Sequence, residues 1–337
     1  MSRFTSPDDQ ITRFPKMSFR SGFVSIIGRP NAGKSTLLNA LVGEKVAIVT
    51  HKPQTTQHRI QGFVNVKGGK GRPPGQIIFI DTPGVHKPDS SIGSRMMREV
   101  NAALEERDLV LLIVDVTQPF GKGDQFVLEL LKSINAPVIL LLNKIDTIDK
   151  QKLLEIIDRY SKLREFAEII PISATKKQGL EKLVDVVIKR LPEGPRYFEK
   201  DQITDQPERV LVSEIIRERV LVETAQEVPY ATAVKIERFE EGDRLTRIAA
   251  AIYCEREGQK AILIGKGGAM LKKIGTSARR QIERLVGTKV FLELFVKVRE
   301  NWRNSEAALD ELDWRNELGS LEPATPKAKA RTRIGRI

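Results

Sequence analysis

The sequence predicts an α/β domain with a mostly parallel sheet and helices on both faces, followed by a smaller α+β domain. Short apolar runs at 23–27, 61–66, 77–80, 109–114, 138–142 and 169–172 alternate with longer helix-like runs, as βα units of a parallel sheet require. Pro192, Gly194 and Pro195 break the last of these helices, and a polar stretch to Pro207 reads as a linker. Beyond it the pattern runs helix (210–227), strand (231–237), strand (246–253), helix, helix (270–286) and strand (290–298). The first of these helices is expected to bury Leu211, Ile215, Val222 and Ala225, and the third Leu271, Ile274, Ala278, Ile282 and Leu285. The expected division is an extension at 1–20, a first domain at 21–196, a linker at 197–209, a second domain at 210–302 and a basic, partly disordered tail at 303–337.

With 337 residues, 40% hydrophobic and 30% charged, the chain can bury two cores and has an ordinary globular composition. The runs at 109–114 and 138–142 are too short to span a bilayer, and the charged N-terminus does not read as a secretory signal. A single cysteine, Cys254, excludes an intramolecular disulfide, and His51, His58 and His86 lack paired metal-ligand spacing. The net charge of +12 is unevenly placed. Residues 258–290 carry eight basic residues against Glu283 alone, whereas 205–257 carry eight basic and twelve acidic residues. Such a change of sign marks a basic binding face.

Gly28, Arg29, Pro30, Asn31, Ala32, Gly33, Lys34 and Ser35 spell G-x-x-x-x-G-K-S between a strand and a helix that opens with Thr36. Glycines let the backbone curl so that its N–H groups point at phosphate oxygens at a helix N-terminus. Lys34 would reach the β- and γ-phosphates, and the Ser35 hydroxyl would ligate Mg²⁺. The third strand ends in Asp81, Thr82, Pro83 and Gly84, where Asp81 can hold Mg²⁺ and the Gly84 N–H can sense the γ-phosphate. The fifth ends in Asn143, Lys144, Ile145 and Asp146. A carboxylate at Asp146 can accept hydrogen bonds from N1–H and the exocyclic amine of guanine, a donor pair that adenine lacks. Asn143 would steady the loop and touch the base, Lys144 would cover the ring, and the Ser173–Ala174 stretch would offer a backbone N–H to the guanine carbonyl.

These four elements, in this order, resemble the small GTPases. The resemblance implies GTP or GDP as ligand, with Mg²⁺. Residues 50–59 lie where such proteins carry a segment whose threonine completes the Mg²⁺ shell, and either Thr55 or Thr56 could serve. Lys34, Gly84 and these two threonines form the expected catalytic group. Val85 occupies the position of the water-orienting glutamine of Ras-like proteins, so slow hydrolysis is expected. Asn31 stands where glutamine-less relatives are linked to potassium-stimulated hydrolysis, which adds K⁺ as an expected ion.

Gly265, Lys266, Gly267 and Gly268 form a G-x-x-G loop between two helices, and this context resembles the type 2 KH RNA-binding module. Such a loop clamps the backbone of about four nucleotides. Lys266, Lys272, Lys273, Arg279 and Arg280 would supply charge for phosphates, and Ile262 and Ile264 would line the apolar groove for bases. A small GTPase followed by a KH module, with the strings at 53–60 and 81–86, is similar to the Era-type bacterial GTPases over about 22–302. The resemblance implies binding to the 3′ region of 16S ribosomal RNA and assistance to 30S subunit assembly. It also implies a cytoplasmic monomer with peripheral association with the inner membrane. The departures are residues 1–20, Gln57, the insertion at 67–75 and the tail beyond Leu312. Two other readings stay open on the residues alone: a membrane-associated signalling or cell-cycle GTPase whose KH-like unit docks protein, and a nucleotide-binding scaffold without turnover.

Overall fold

The computed structural model describes residues 17–50, 52, 55–69, 71–88, 90–105, 107–224 and 232–313. The first domain is built on a sheet of order β2-β3-β1-β4-β5-β6. Its strands are β1 (Arg20–Ile27), β2 (Ile60–Val66), β3 (Gly75–Asp81), β4 (Leu109–Asp115), β5 (Val138–Asn143) and β6 (Glu168–Ile172). All neighbours pair in parallel except β2, which runs antiparallel to β3 at one edge. The helices are α1 (Lys34–Val42), α2 (Ser91–Glu105), α3 (Lys122–Leu130), α4 (Lys150–Leu163) and α5 (Leu180–Arg190). Strands β3 and β5 are buried along their whole length because helices cover both faces, which is why they read as unbroken apolar runs. One core joins Leu37, Leu111 and Leu183 on one face, and a second joins Ile27, Val100 and Leu140 on the other.

The second unit runs α6 (Glu208–Glu223), β7 (Ala233–Glu240), β8 (Leu245–Cys254), α7 (Glu257–Ile264), α8 (Ala269–Val286) and β9 (Lys289–Val298). Strand β8 pairs antiparallel with β7 and parallel with β9. Its core gathers Ile216, Val220, Ile252, Leu263, Ile274 and Ile282, all fully buried. The face expected on α8 matches in Ile274, Ala278 and Ile282. The face expected on α6 matches in Ile215 alone: Leu211 is half-buried, Val222 is 51% exposed, Ala225 lies outside the described residues, and Val212, Ile216 and Val220 complete the buried side.

Two stretches are more structured than their composition suggests. Of residues 197–209, expected as a linker, 198–204 are docked on β2 and 208–209 open α6: the Phe198 ring stacks on Phe63 at 3.8 Å and the Ile203 carbonyl accepts from the Phe63 N–H at 2.8 Å. The strap covers what would otherwise be a bare sheet edge. Residues 303–313, expected as tail, instead complete a short turn and α9 (Glu306–Leu312), capped by Ser305. Trp302, Ala308 and Leu309 bury an apolar face against Ile92 and Met96 of α2 and Ala233 of β7. Arg95 of α2 fixes this clasp through Asp310 at 2.9 Å and Asp313 at 2.8 Å. The extension up to residue 16 and the tail from 314 lie outside the described residues. Among the described residues no helix is long and apolar enough to cross a membrane.

Candidate nucleotide site and nucleic-acid face

Four loops converge at the carboxyl ends of β1, β3, β5 and β6, where ligands of such sheets sit. The loop at 28–33 opens directly onto α1, placing Lys34, Ser35 and Thr36 in its first turn. Lys34 is buried and folds back over its own loop, donating to the Gly28 carbonyl at 3.2 Å and the Arg29 carbonyl at 3.0 Å. Burial lowers its pKa to about 8, against the pull of Asp81. Asp81 is fully buried. Burial raises its carboxyl to about 6, while Lys34 and the Ser35 hydrogen bond pull it back.

Ser35 Oγ donates to Asp81 Oδ2 at 2.6 Å and lies 2.9 Å from Thr56 Oγ1. Its one proton is spent on Asp81, so Thr56 is the donor in the second contact. Asp81 Oδ1 is buried and has no hydrogen-bond partner among the described residues. An orphaned carboxylate oxygen beside two hydroxyls is an all-oxygen donor set suited to Mg²⁺. Thr55 stands outside this group, for its hydroxyl donates to the Lys52 carbonyl at 2.6 Å and meets Thr50 Oγ1 at 2.7 Å. The tandem threonines, equivalent in sequence, are therefore separated by the structure.

The Asp81–Gly84 turn is tied to the phosphate loop. Thr82 Oγ1 donates to the Ile26 carbonyl at 2.8 Å, and the Val85 N–H donates to the Gly28 carbonyl at 3.0 Å. Pro83 and Gly84 are buried, and a Cβ on Gly84 would stand 2.8 Å from the Pro30 ring and 2.9 Å from its Cα, so only glycine permits this approach. Val85 is 1% exposed and packs into the core with Ile27 and Val100. Its side chain is a piece of the core.

Asn143 links two loops. Its Nδ2 donates to the Ala32 carbonyl at 2.8 Å and its Oδ1 accepts the Ala174 N–H at 3.0 Å. Asn143 thus ties the phosphate loop to the loop after β6. Of the N–H groups in the 173–174 stretch, expected to supply one to a base, that of Ala174 is donated to Asn143, since each is a buried group that needs a partner. Ser173, buried beside it, accepts from the Lys176 N–H at 3.2 Å. Lys144 adopts φ 69° and its Nζ reaches Asp115 at 2.6 Å, while the Asp146 carboxylate is exposed at the rim. Two residues missed in the sequence aim these groups. Asp115 holds Lys144, and Asp124 of α3 holds Arg29 at 2.8 Å. Asn31 takes φ 62° at the exposed crest of the loop.

In the second unit, Gly265, Gly267 and Gly268 all have positive φ. At Gly267 and Gly268 an added Cβ would meet nothing within 4 Å, leaving open space over a bare backbone. Lys266, Lys272 and Lys273 are exposed in the loop and the first turn of α8, with Lys273 paired to Glu223 at 2.6 Å, whereas Arg279 and Arg280, also exposed, lie about three turns further along α8. Ile262 is 48% exposed and Ile264 half-buried beside it, as an apolar groove wall requires.

The two units touch through α6. Arg217, nearly buried, donates to the Thr55 carbonyl and pairs with Glu214 at 2.8 Å. Glu218, also buried, accepts from the Val49 N–H at 3.1 Å and from Lys45 at 2.5 Å. Sequence reasoning overlooked both. Charges set among Ile215, Ile216 and Val220 on one helix were the available signal, since buried charges need partners.

Fold and site define a phosphate-loop GTPase joined to a KH module. Residues 23–144 match the family described as a 50S ribosome-binding GTPase, and residues 227–303 match the KH domain. GTPase Era of Ruminiclostridium cellulolyticum is 49% identical over 300 residues, covering 89% of this chain and 99% of that protein. GTPase Era of Geobacter metallireducens is 51% identical, covering 88% of this chain and 98% of that one. The crystal structures of an Aquifex aeolicus Era variant bound to GDP·AlF₄⁻, and of Era with MgGDPNP and nucleotides 1506–1542 of 16S ribosomal RNA, each superpose with a TM-score of 0.82 at 40% identity. Both comparisons cover 88% of this chain and 99% of the other. The chain belongs to the Era family of GTPases.

Proposed function

We propose that the chain is a GTP-controlled, RNA-binding assembly factor for the 30S subunit that binds the 3′ region of 16S ribosomal RNA. GTP lies across residues 28–36, with Lys34 on the phosphates, Asp146 on guanine and the Gly84 N–H at the γ-phosphate. Ser35, Thr56 and Asp81 hold Mg²⁺, which when bound offsets negative charge on the β- and γ-phosphates. The choice of Thr56 over Thr55 is supported by its hydrogen bond to Ser35. With Val85 buried, no side chain at that position orients water, and hydrolysis is slow and aided by K⁺ near Asn31. RNA enters the groove of Ile262, Ile264 and the loop 265–268, with the lysines and arginines around it on phosphates.

The observation that carries this reading is a pair of consecutive residues. The Thr56 hydroxyl meets Ser35 in the phosphate site, and the Thr55 carbonyl is held by Arg217 of the KH unit. A change at the γ-phosphate that moves this segment must therefore move its grip on α6. The chain works as a cytoplasmic monomer, and its net charge of +12 supports peripheral attraction to the anionic inner-membrane surface. The test is RNA affinity, measured with GDP and with a non-hydrolysable GTP analogue. Tighter binding with the analogue, abolished by Gly267→Asp with Gly268→Asp, is expected. Equal affinity in both nucleotides rejects the switch, and loss-free binding by the double variant rejects the groove.

A further inference from the structure

The KH sheet has two faces, and only one is used by the groove. Along β9 the inward residues Val290, Leu292 and Leu294 pack toward α8, whereas Lys289, Phe291, Glu293 and Phe295 point outward. Phe291 and Phe295 are each 47% exposed, among the largest exposed apolar side chains of the described residues. They stand four residues apart on one strand, about 13 Å. Beside them, in register on β8, lie Arg247 opposite Phe291 and Ala251 opposite Phe295. The Arg247 guanidinium lies over the Phe291 ring at 5.7 Å. Ala249 and Ala251, on the same side of β8 as Arg247, are buried beneath the side chains of the flanking strands. Arg238 of β7 also faces outward and holds Glu293 at 2.5 Å, which neutralises the acid between the two rings. The far end of this face, at Ala233 and Tyr253, is closed by Trp302 and Leu312, so the open part is the end that carries the phenylalanines.

Two half-exposed rings on one sheet face, flanked by Arg247 and Lys289, are a stacking platform with phosphate counter-charge, the arrangement by which sheets hold unpaired bases. The platform also borders the groove. β9 is the edge strand, and its inner face backs α7 and α8, which flank the loop 265–268. A single strand leaving the groove reaches the outer face by rounding one strand edge. We propose that the outer face of the KH sheet, centred on Phe291, Phe295 and Arg247, is a second single-stranded RNA site that stacks bases of the strand leaving the groove. The inference rests on the RNA-binding reading above.

The test compares a tetranucleotide, long enough for the groove alone, with the RNA of nucleotides 1506–1542, both titrated onto the full chain with a GTP analogue. Phe291→Ala with Phe295→Ala should weaken the long RNA by about tenfold or more, since each stacked base contributes strongly, and leave the tetranucleotide unchanged. Replacement of both residues by Tyr should restore binding, while replacement by Leu, apolar but without a ring face, should not. Each ring is about half covered, so the Ala variant should stay folded with a modestly lower Tm, and the Leu variant, which keeps most of the apolar contact, controls for that loss. Unchanged affinity for the long RNA in the Ala variant overturns the proposal, as does a change only in self-association or in protein binding, which would make the face a protein contact. Gly267→Asp with Gly268→Asp, which should weaken both RNAs, reports separately on the groove.

Discussion

The Arg217 guanidinium, on the first helix of the KH unit, donates to the main-chain carbonyl of Thr55, one residue before the threonine that touches Ser35. A side chain of one domain thus grips the backbone of the segment that answers to nucleotide in the other. Arg217→Ala leaves Glu214 and the Thr55 carbonyl, both partly buried, without this partner and should cost about 1–3 kcal/mol of stability in urea melts. The sharper readout is coupling. The ratio of RNA affinities with GTP analogue and GDP should fall to about one, where linked sites commonly show about 5–150-fold.

Glu218 supplies a pH-dependent contact between the same domains. Burial alone pushes its carboxyl up, but the hydrogen bond and charge of Lys45, the Val49 N–H and Arg219 together hold it below its ordinary value of 4.5. A depressed carboxylate stabilises the fold above the unfolded value and loses that contribution as pH falls through the folded one. Glu218→Gln should therefore be less stable than the parent chain at pH 7, with the difference in Tm shrinking below about pH 4.5.

Asp81 has the opposite sign. Its folded pKa of about 6 lies above the ordinary 3.8, chiefly through burial, so its contribution to stability is greatest below 3.8 and is lost as pH rises through about 6. In nucleotide-free, Mg²⁺-free protein, Asp81→Asn should raise stability at pH 7 by on the order of 1–2 kcal/mol, with little gain at pH 4. The same variant should lose Mg²⁺-dependent GTP binding, measured by calorimetry. Stability is here given up for function at one atom pair.

Val85 is embedded in the core, so restoring the glutamine of Ras-like proteins should not restore its chemistry. Val85→Gln should lower stability by about 1–3 kcal/mol by burying an amide, without raising the rate of phosphate release. In the parent chain, release should be faster in potassium than in sodium buffer. Equal rates would remove the potassium assignment at Asn31.

The nucleotide loops were legible because each is a consecutive string at a strand end: Gly28 to Ser35, Asp81 to Gly84, Asn143 to Asp146. Their supports were not. Asp124 holds Arg29 from 95 residues away, and nothing in a strand-end acid such as Asp115 announces a bond to Lys144. The choice between Thr55 and Thr56 depends on which hydroxyl the chain turns toward Ser35, which spacing alone leaves open. A single apolar stripe captures Ile215 but misses Val212, Ile216 and Val220, because α6 is buried on two sides, against the KH core and against the GTPase domain. The clasp at 302–313 was lost in its composition, since Trp302, Ala308 and Leu309 are few among charges.

That clasp also sets an order of events. Arg95 and Asp313 are separated by 218 residues, yet their contact joins the helix after the Asp81–Gly84 turn to the end of the described chain. During synthesis the GTPase domain can close its own core long before Asp313 exists, because domains fold as units from the N-terminal side. The clasp is then made after the GTPase core has formed and after Arg217 has been translated, by residues that follow the KH module in the chain. A newborn copy can be folded enough to take nucleotide, and can grip Thr55 from the KH unit, before α2 gains its second hold on that unit through Asp310 and Asp313.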